Sequence, residues 1–122
     1  MFNSIQQFET AGIKNLRKAE DEFIRTRDMA NFINAIKEVV LHLGLDVIAE
    51  TLENYDEAIR KSPKRSEKWS VVRKDPKQLV TSLGTVRYRK TLFINKTTKE
   101  RSYLIDRELG LEKHQRITED AE

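Results

Sequence analysis

Residues 79–106, LVTSLGTVRYRKTLFINKTTKERSYLID, decide the fold. β-branched and aromatic residues recur there at alternate positions, interrupted by Gly84, which predicts a bulge or tight corner, and by the polar segment 95–99. This pattern predicts antiparallel strands joined by a hairpin. In the central strand, Val86, Tyr88, Leu92 and Ile94 point one way, and Arg87, Arg89, Thr91 and Phe93 point the other way. We expect one face to pack and the other to be cationic, with Lys90 snorkelling at the sheet edge.

The sequence on either side of this stretch completes the predicted sheet. Trp69, Val71 and Val72 favour a short strand, and Asp75-Pro76 predicts a turn before the chain returns through residues 78–83. Residues 101–106 favour a further strand. The sequence therefore predicts a basic antiparallel meander of three or four strands over residues 63–107.

The first half of the chain has a helical periodicity instead. Residues 2–27 predict a helix with a thin apolar stripe, and residues 28–61 predict a longer helix with Asp28 as its N-cap. Because the apolar stripe of the longer helix keeps its phase, we favour a helix unbroken at Gly44 over a glycine cap there. Ser62-Pro63 is expected to end the helical region. The stripe begins with Met29, Ile33, Ile36, Val40, Leu43 and Val47.

Together these elements predict an α+β chain in three segments. Residues 1–62 form an antiparallel helical hairpin that serves as an assembly arm and pairs with a second copy of the chain. The basic sheet follows over residues 63–107. Residues 108–122 form a turn and the start of a helix capped by Thr118, which suggests a piece of a longer protein; a frayed acidic tail is the alternative.

Composition limits the classes of protein that fit. The 122 residues contain no cysteine, which excludes disulfides and thiolate zinc sites and favours a cytoplasmic location. No apolar run is long enough for a membrane span. The net charge of +3 is unevenly distributed, because residues 64–101 hold 12 Lys or Arg against 3 Asp or Glu. That segment is either a surface for nucleic acid or a solvated surface.

The sequence gives little support for a catalytic function. Glu38, His42 and Asp46 lie four residues apart on one helix face, but a zinc protease pattern needs two histidines at such spacing, so a solvated polar face is favoured. His114 lies in a polar segment without an adjacent nucleophile. No phosphate-binding glycine loop is present. We therefore expect no enzyme activity from this chain, no cofactor, no metal and no small-molecule substrate.

Binding to DNA phosphates is better supported. Guanidinium groups on a rigid strand can hold phosphates through paired hydrogen bonds. Trp69, Tyr88 and Tyr103 are either stacking surfaces for bases or, as we favour, core residues of a small sheet. The candidate DNA-binding residues are Arg65, Lys68, Arg73, Lys74, Lys77, Arg87 and Arg89.

Several short motifs, in order, resemble one protein family. They are the segments 81–86, 87–93, 95–99, 103–106 and 109–111, with weaker likeness at 52–56 and 116–118. In this order the chain, from about Gly44 onward, resembles the N-terminal region of ISLre-type bacterial insertion-sequence transposases, long catalogued as an uncharacterised family. The resemblance implies a DDE-type catalytic domain farther along such proteins, and no residue here matches its acidic triad.

The resemblance therefore implies a non-catalytic role in transposition: recognition of element ends and assembly of the transposase. Arg87 and Arg89 lie inside the matching motif, and their contact with DNA is expected from their charge and geometry. The alternative is a helical dimerisation or protein-interaction module that does not bind nucleic acid.

Overall fold

The computed structural model describes residues 4–111 and the backbone of residues 116–117. The chain divides into two compact units, Met1–Ile48 and Ala49–Glu122. The helical elements are α1 Ser4–Gln7, a π-helical turn Phe8–Gly12, α2 Ile13–Thr26, α3 Met29–Arg60, α4 Pro63–Lys68 and α5 Leu104–Leu109. The strands are β1 Trp69–Thr81, β2 Gly84–Asn95, β3 Arg101–Ser102 and β4 Arg116–Ile117.

The helix α3 is continuous through Gly44, as its unbroken apolar stripe predicts. Asp28 caps it, because its Oδ1 accepts the main-chain N–H of Asn31 at 3.0 Å. The long helix ends at Arg60, just before Ser62-Pro63, but the expectation that the helical region ends there is wrong. Ser62 instead caps α4, accepting the main-chain N–H of Arg65 at 3.4 Å, and Pro63 occupies the first helical position, where its missing N–H costs no bond.

The sheet confirms the α+β class. Its strand order is β3-β2-β1-β4, with antiparallel pairing among the first three strands and a short parallel pairing of β4 with β1. Gly84 begins β2 directly opposite Thr81 and has a φ of 137°, a conformation that glycine adopts readily. The predicted tight corner at Gly84 is therefore confirmed.

The predicted turn at Asp75-Pro76 is wrong, because β1 runs straight through both residues. Pro76 lies opposite Arg89, whose main-chain N–H points away from β1 and donates to the Glu53 carboxylate at 2.8 Å. The pair is thus one of the antiparallel pairs that exchange no ladder bonds. Proline is tolerated there because its missing N–H removes no bond between β1 and β2.

The predicted strand over residues 101–106 is largely wrong. Only Arg101–Ser102 pairs with β2, and α5 follows, ending at Gly110 with a φ of 70°. The apolar residues of this segment, Tyr103 to Ile105, are too few to distinguish one helical turn from a strand. The helix predicted to start at Thr118 lies outside the described residues.

The core of the second unit lies between α3, β2 and α5. Phe93 and Ile105 have no exposed surface, and Ile59 packs with them. Thr91 is also fully buried, so the strand face expected to be cationic is covered over its second half. The alternation predicted for β2 therefore holds only for its first half.

Lys90 does not snorkel at the sheet edge. Its side chain is buried, with Nζ 2.5 Å from the Asp106 Oδ2 and 3.9 Å from the centre of the Tyr103 ring. The expectation was wrong because α5, which supplies the carboxylate, was not predicted.

Among the helices in the described part of the chain, none has the length and apolarity of a bilayer span.

Candidate nucleic-acid interface

Two arginines stand on the exposed first half of β2. Arg87 and Arg89 are both exposed, and they alternate with the buried side chains of Val86 and Tyr88. Burial of the alternate residues fixes the strand beneath the two arginines. Neither guanidinium forms an ion pair with a residue in the described ranges. Both are therefore available to an external anion.

Carboxylates of α3 hold the outer edge of β2. The Glu53 carboxylate accepts the main-chain N–H of Arg89 at 2.8 Å, and Asp56 Oδ1 accepts that of Thr91 at 3.0 Å. Asp56 Oδ2 also accepts the Thr91 hydroxyl at 2.6 Å. These bonds satisfy strand donors that would otherwise face away from the sheet unpaired. They restrain the backbone at Arg89 while leaving its side chain exposed.

A shallow hollow of about 370 Å³ lies beside the two arginines. Pro76 and Gln78 of β1 line it, because they are the cross-strand neighbours of Arg89 and Arg87. Glu53 contributes the acidic group of the hollow. Lys77 of β1 also lines the hollow, so its charged lining comprises three cations and one carboxylate.

Of the other predicted residues, Lys77 lines the same hollow, whereas Arg65, Lys68, Arg73 and Lys74 do not. Lys74 pairs with Thr91 across the sheet and so shares the arginine face, and its Nζ lies 3.5 Å from the Glu57 carboxylate. Arg73 and Lys77 pair with Leu92 and Tyr88, which places them on the opposite face. A register shift between Val71 and Arg73 sets this arrangement, because one extra residue reverses the facing of a strand.

Arg65 and Lys68 lie on α4. The Arg65 guanidinium donates to the carbonyl of Trp69 at 2.8 Å and to the carbonyl of Arg60, and it lies 5.4 Å from the centre of the Phe93 ring. These internal contacts argue against a role for Arg65 as a phosphate contact. Lys68 is exposed at the last residue of α4.

The aromatic residues behave mostly as core. Tyr88 is buried, and this burial, with smaller contributions from the charges of Asp106 and Asp56, raises its pKa to about 12. The Tyr103 hydroxyl donates to Asp75 Oδ2 at 2.6 Å. That bond and the neighbouring Arg73 lower the pKa of the Asp75 carboxyl, and the same bond raises the pKa of Tyr103. Trp69 packs partly buried against the core.

On the polar face of α3, His42 and Asp46 lie close together. His42 Nε2 lies 3.3 Å from Asp46 Oδ2, and both side chains are exposed. Across the described residues, no three carboxylate, histidine or cysteine side chains are grouped so that they could hold a metal ion.

Sequence reasoning missed Glu53, Asp56 and Asp106 as partners of the sheet. Glu53 and Asp56 lie three residues apart and so share one face of α3, which is the available sequence signal. It shows that the two carboxylates act on one side but does not identify the strand that meets them.

Comparison with known proteins matches most of this chain to one protein family. A family model described as an uncharacterised protein family (UPF0236) matches residues 25–122. Three UPF0236 proteins of Caldanaerobacter subterraneus subsp. tengcongensis are 34%, 36% and 36% identical over 98, 90 and 90 residues. The matches cover 80%, 74% and 74% of this chain but 21%, 20% and 19% of the relatives, so the chain spans about a fifth of their length. No solved structure is significantly similar to the chain.

Proposed function

The chain belongs to the uncharacterised family UPF0236, and we propose that it is the non-catalytic DNA-binding and assembly region of an ISLre-type transposase. The motifs at residues 81–99 support this assignment through their resemblance to that class. The name of one relative combines eleven locus designations from a single genome. Many copies of one gene are what a transposing element produces, so this name favours the proposal.

The exposed arginine pair on β2 carries the DNA-binding part of the proposal. Arg87 and Arg89 lie two residues apart on one strand, so roughly 7 Å of backbone separates them. Their guanidinium groups can each bind a phosphate through two hydrogen bonds. Such contacts position a protein on DNA without reading its sequence.

The acidic helix does not neutralise this pair. Glu53 lines the same hollow, and its carboxylate accepts the main-chain N–H of Arg89. Lys74 is different, because its ammonium group pairs with Glu57. We therefore rank Arg87 and Arg89 above Lys74, and Lys74 above the residues of the opposite face.

The test measures binding to a short DNA duplex by fluorescence anisotropy at two salt concentrations. Arg87→Ala/Arg89→Ala should weaken binding at low salt and reduce the slope of log affinity against log salt by about 2, roughly 0.9 for each lost phosphate contact. The matched control is Arg17→Ala/Lys18→Ala, which removes the same charge from exposed positions on α2. If both variants bind with the same affinity and slope as the wild type, the proposed surface is wrong.

A specific feature of α3 favours a second candidate, a module for assembly without DNA contact. Met29, Ile33 and Val40 belong to an apolar repeat with alternating steps of four and three, which is the spacing of a coiled-coil seam. All three are more than half exposed. A second copy of the chain offers an identical seam and would cover this one.

Sedimentation equilibrium tests assembly. The wild type should associate, and Ile33→Glu should shift it toward monomer, because the charge would lie in the seam. Asn34→Glu is the control, as this neighbouring exposed residue lies outside the repeat. A wild type that stays monomeric at high concentration contradicts the assembly role. Association without salt-dependent DNA binding would favour the second candidate alone.

A further inference from the structure

A second cavity in the Ala49–Glu122 unit is unrelated to the arginine pair. It has a volume of about 690 Å³, within the range of ligand-binding pockets, and lies between the end of α3, α4, the start of β1 and α5. Its charged lining is strongly unbalanced, with four cations and one carboxylate. These groups are Lys64, Arg65, Lys68, Arg107 and Glu108.

The cavity also has an aromatic wall. Trp69 lines it and is only partly buried, and the Arg107 guanidinium carbon lies 5.5 Å from the centre of the Trp69 ring. Tyr55 contributes a second, exposed ring. Aromatic and guanidinium planes are the surfaces on which unpaired bases stack.

Arg65 holds Trp69 in place. One of its guanidinium nitrogens donates to the Trp69 carbonyl, and the other donates to the carbonyl of Arg60 at the end of α3. Its side chain thus ties the main chain of Trp69, the first residue of β1, to the end of α3. Arg65 is a positioning residue, and the cations left for a ligand are those of Lys64 and Lys68. Arg107 adds a third, whose guanidinium also lies 3.8 Å from the exposed Glu100 carboxylate, a pairing that solvent weakens.

We propose that this cavity binds an unpaired nucleotide of single-stranded DNA, with the base stacked at Trp69 and Arg107 and the phosphates held by Lys64 and Lys68. The inference rests on the proposed function, since it takes DNA as the partner. A concave site suits a single strand because bases inside a duplex are stacked on each other and cannot enter. The excess of positive charge matches the phosphates that accompany such a base.

The chain carries its own reporter, since Trp69 is its only tryptophan. Titration with a short oligothymidine should quench Trp69 fluorescence, and added salt should weaken the effect. A duplex of the same length should quench less. Lys64→Ala/Lys68→Ala should weaken oligothymidine binding about tenfold, while the control Arg17→Ala/Lys18→Ala should leave it unchanged.

A second variant distinguishes weaker binding from loss of the folded structure. Arg107→Gln keeps a polar, unbranched side chain but shortens it and removes the charge beside Trp69, and we expect it to weaken oligothymidine binding at least several-fold, with the circular dichroism spectrum unchanged. Equal affinity of wild type, Arg107→Gln and Lys64→Ala/Lys68→Ala would overturn the inference. Equal quenching by duplex and single strand would also overturn it.

The two proposals fail in different ways. Duplex binding that needs Arg87 and Arg89, without quenching of Trp69 by oligothymidine, contradicts the cavity and leaves the proposed function intact. Quenching that persists in Arg87→Ala/Arg89→Ala shows that the cavity acts separately from the strand face. Absence of binding to either nucleic acid contradicts both proposals.

Discussion

The two compact units differ most in what they bury. Among the described residues, Met1–Ile48 has no buried hydrophobic side chain, whereas Ala49–Glu122 has seven. The same contrast holds for charge. Arg25 and Glu22 form an exposed ion pair on α2, whereas Lys90 and Asp106 form a buried one.

The difference in burial between the two units has different consequences for the side chains they expose. A unit with a packed core holds exposed side chains such as Arg87 at fixed positions, which binding to an external anion requires. A helical hairpin with exposed apolar residues gains little stability from its own packing and gains more when a partner covers them. This contrast is consistent with the roles proposed above, recognition for the second unit and assembly for the first.

The largest test of this contrast compares two apolar truncations. Phe93→Ala should lower the free energy of unfolding by about 3 to 5 kcal/mol, because it leaves a cavity in the core. Met29→Ala should cost less than about 1 kcal/mol in the monomer, since Met29 is 52% exposed. Urea denaturation followed by circular dichroism measures both.

Protein concentration sharpens this measurement. If Met29→Ala becomes costly only at high concentration, the seam is buried between copies, because association stabilises the folded state by mass action. If it costs as much as Phe93→Ala even at low concentration, the contrast between the two units is wrong.

The elements with a strong period could be predicted from sequence. The long helix α3 and the hairpin at Gly84 follow from local patterns, because apolar spacing and turn chemistry act within a few residues. The exposed Arg87 and Arg89 follow from the same alternation. These features need no knowledge of what packs against them.

The errors concern features that depend on a distant partner. Pro76 fits inside β1 only because the Arg89 N–H opposite points toward α3. Thr91 is buried only because Asp56 of α3 meets it. The carboxylate for Lys90 comes from α5, 16 residues away. Such contacts are set by tertiary packing, which local propensity does not encode.

The second prediction compares the two ion pairs. Lys90→Met should cost about 3 kcal/mol, because it leaves the buried Asp106 carboxylate without its cation. Arg25→Ala removes one partner of the exposed pair and should change stability by less than about 0.5 kcal/mol. The unfolding free energies of the two variants give the comparison directly.

A double variant checks the cause. Lys90→Met/Asp106→Leu should recover most of the loss, because neither charge then remains in the core. Within the described part of the chain, no group donates a hydrogen bond to Asp106 Oδ1. Replacing Asp106 by leucine therefore leaves no donor at that oxygen unpaired. A double variant less stable than Lys90→Met would show that the carboxylate has another structural role.

The smallest expected effect concerns pH and the bond between Tyr103 and Asp75. This hydrogen bond, together with Arg73, lowers the pKa of Asp75 in the folded state. Its contribution to stability is therefore present above the ordinary aspartate pKa of about 3.9 and is lost as pH falls through the lower folded value. Asp75→Asn should reduce stability near neutral pH and flatten the acid dependence of the urea midpoint.

The control Asp46→Asn, in the first unit, should keep the wild-type acid slope in the midpoint reported by Trp69 fluorescence, because Trp69 packs in the second unit. If the acid slope of Asp75→Asn is as steep as that of the wild type, other carboxylates cause the acid sensitivity. The bond between Tyr103 and Asp75 would then not count among the contacts that distinguish the packed unit from the helical hairpin.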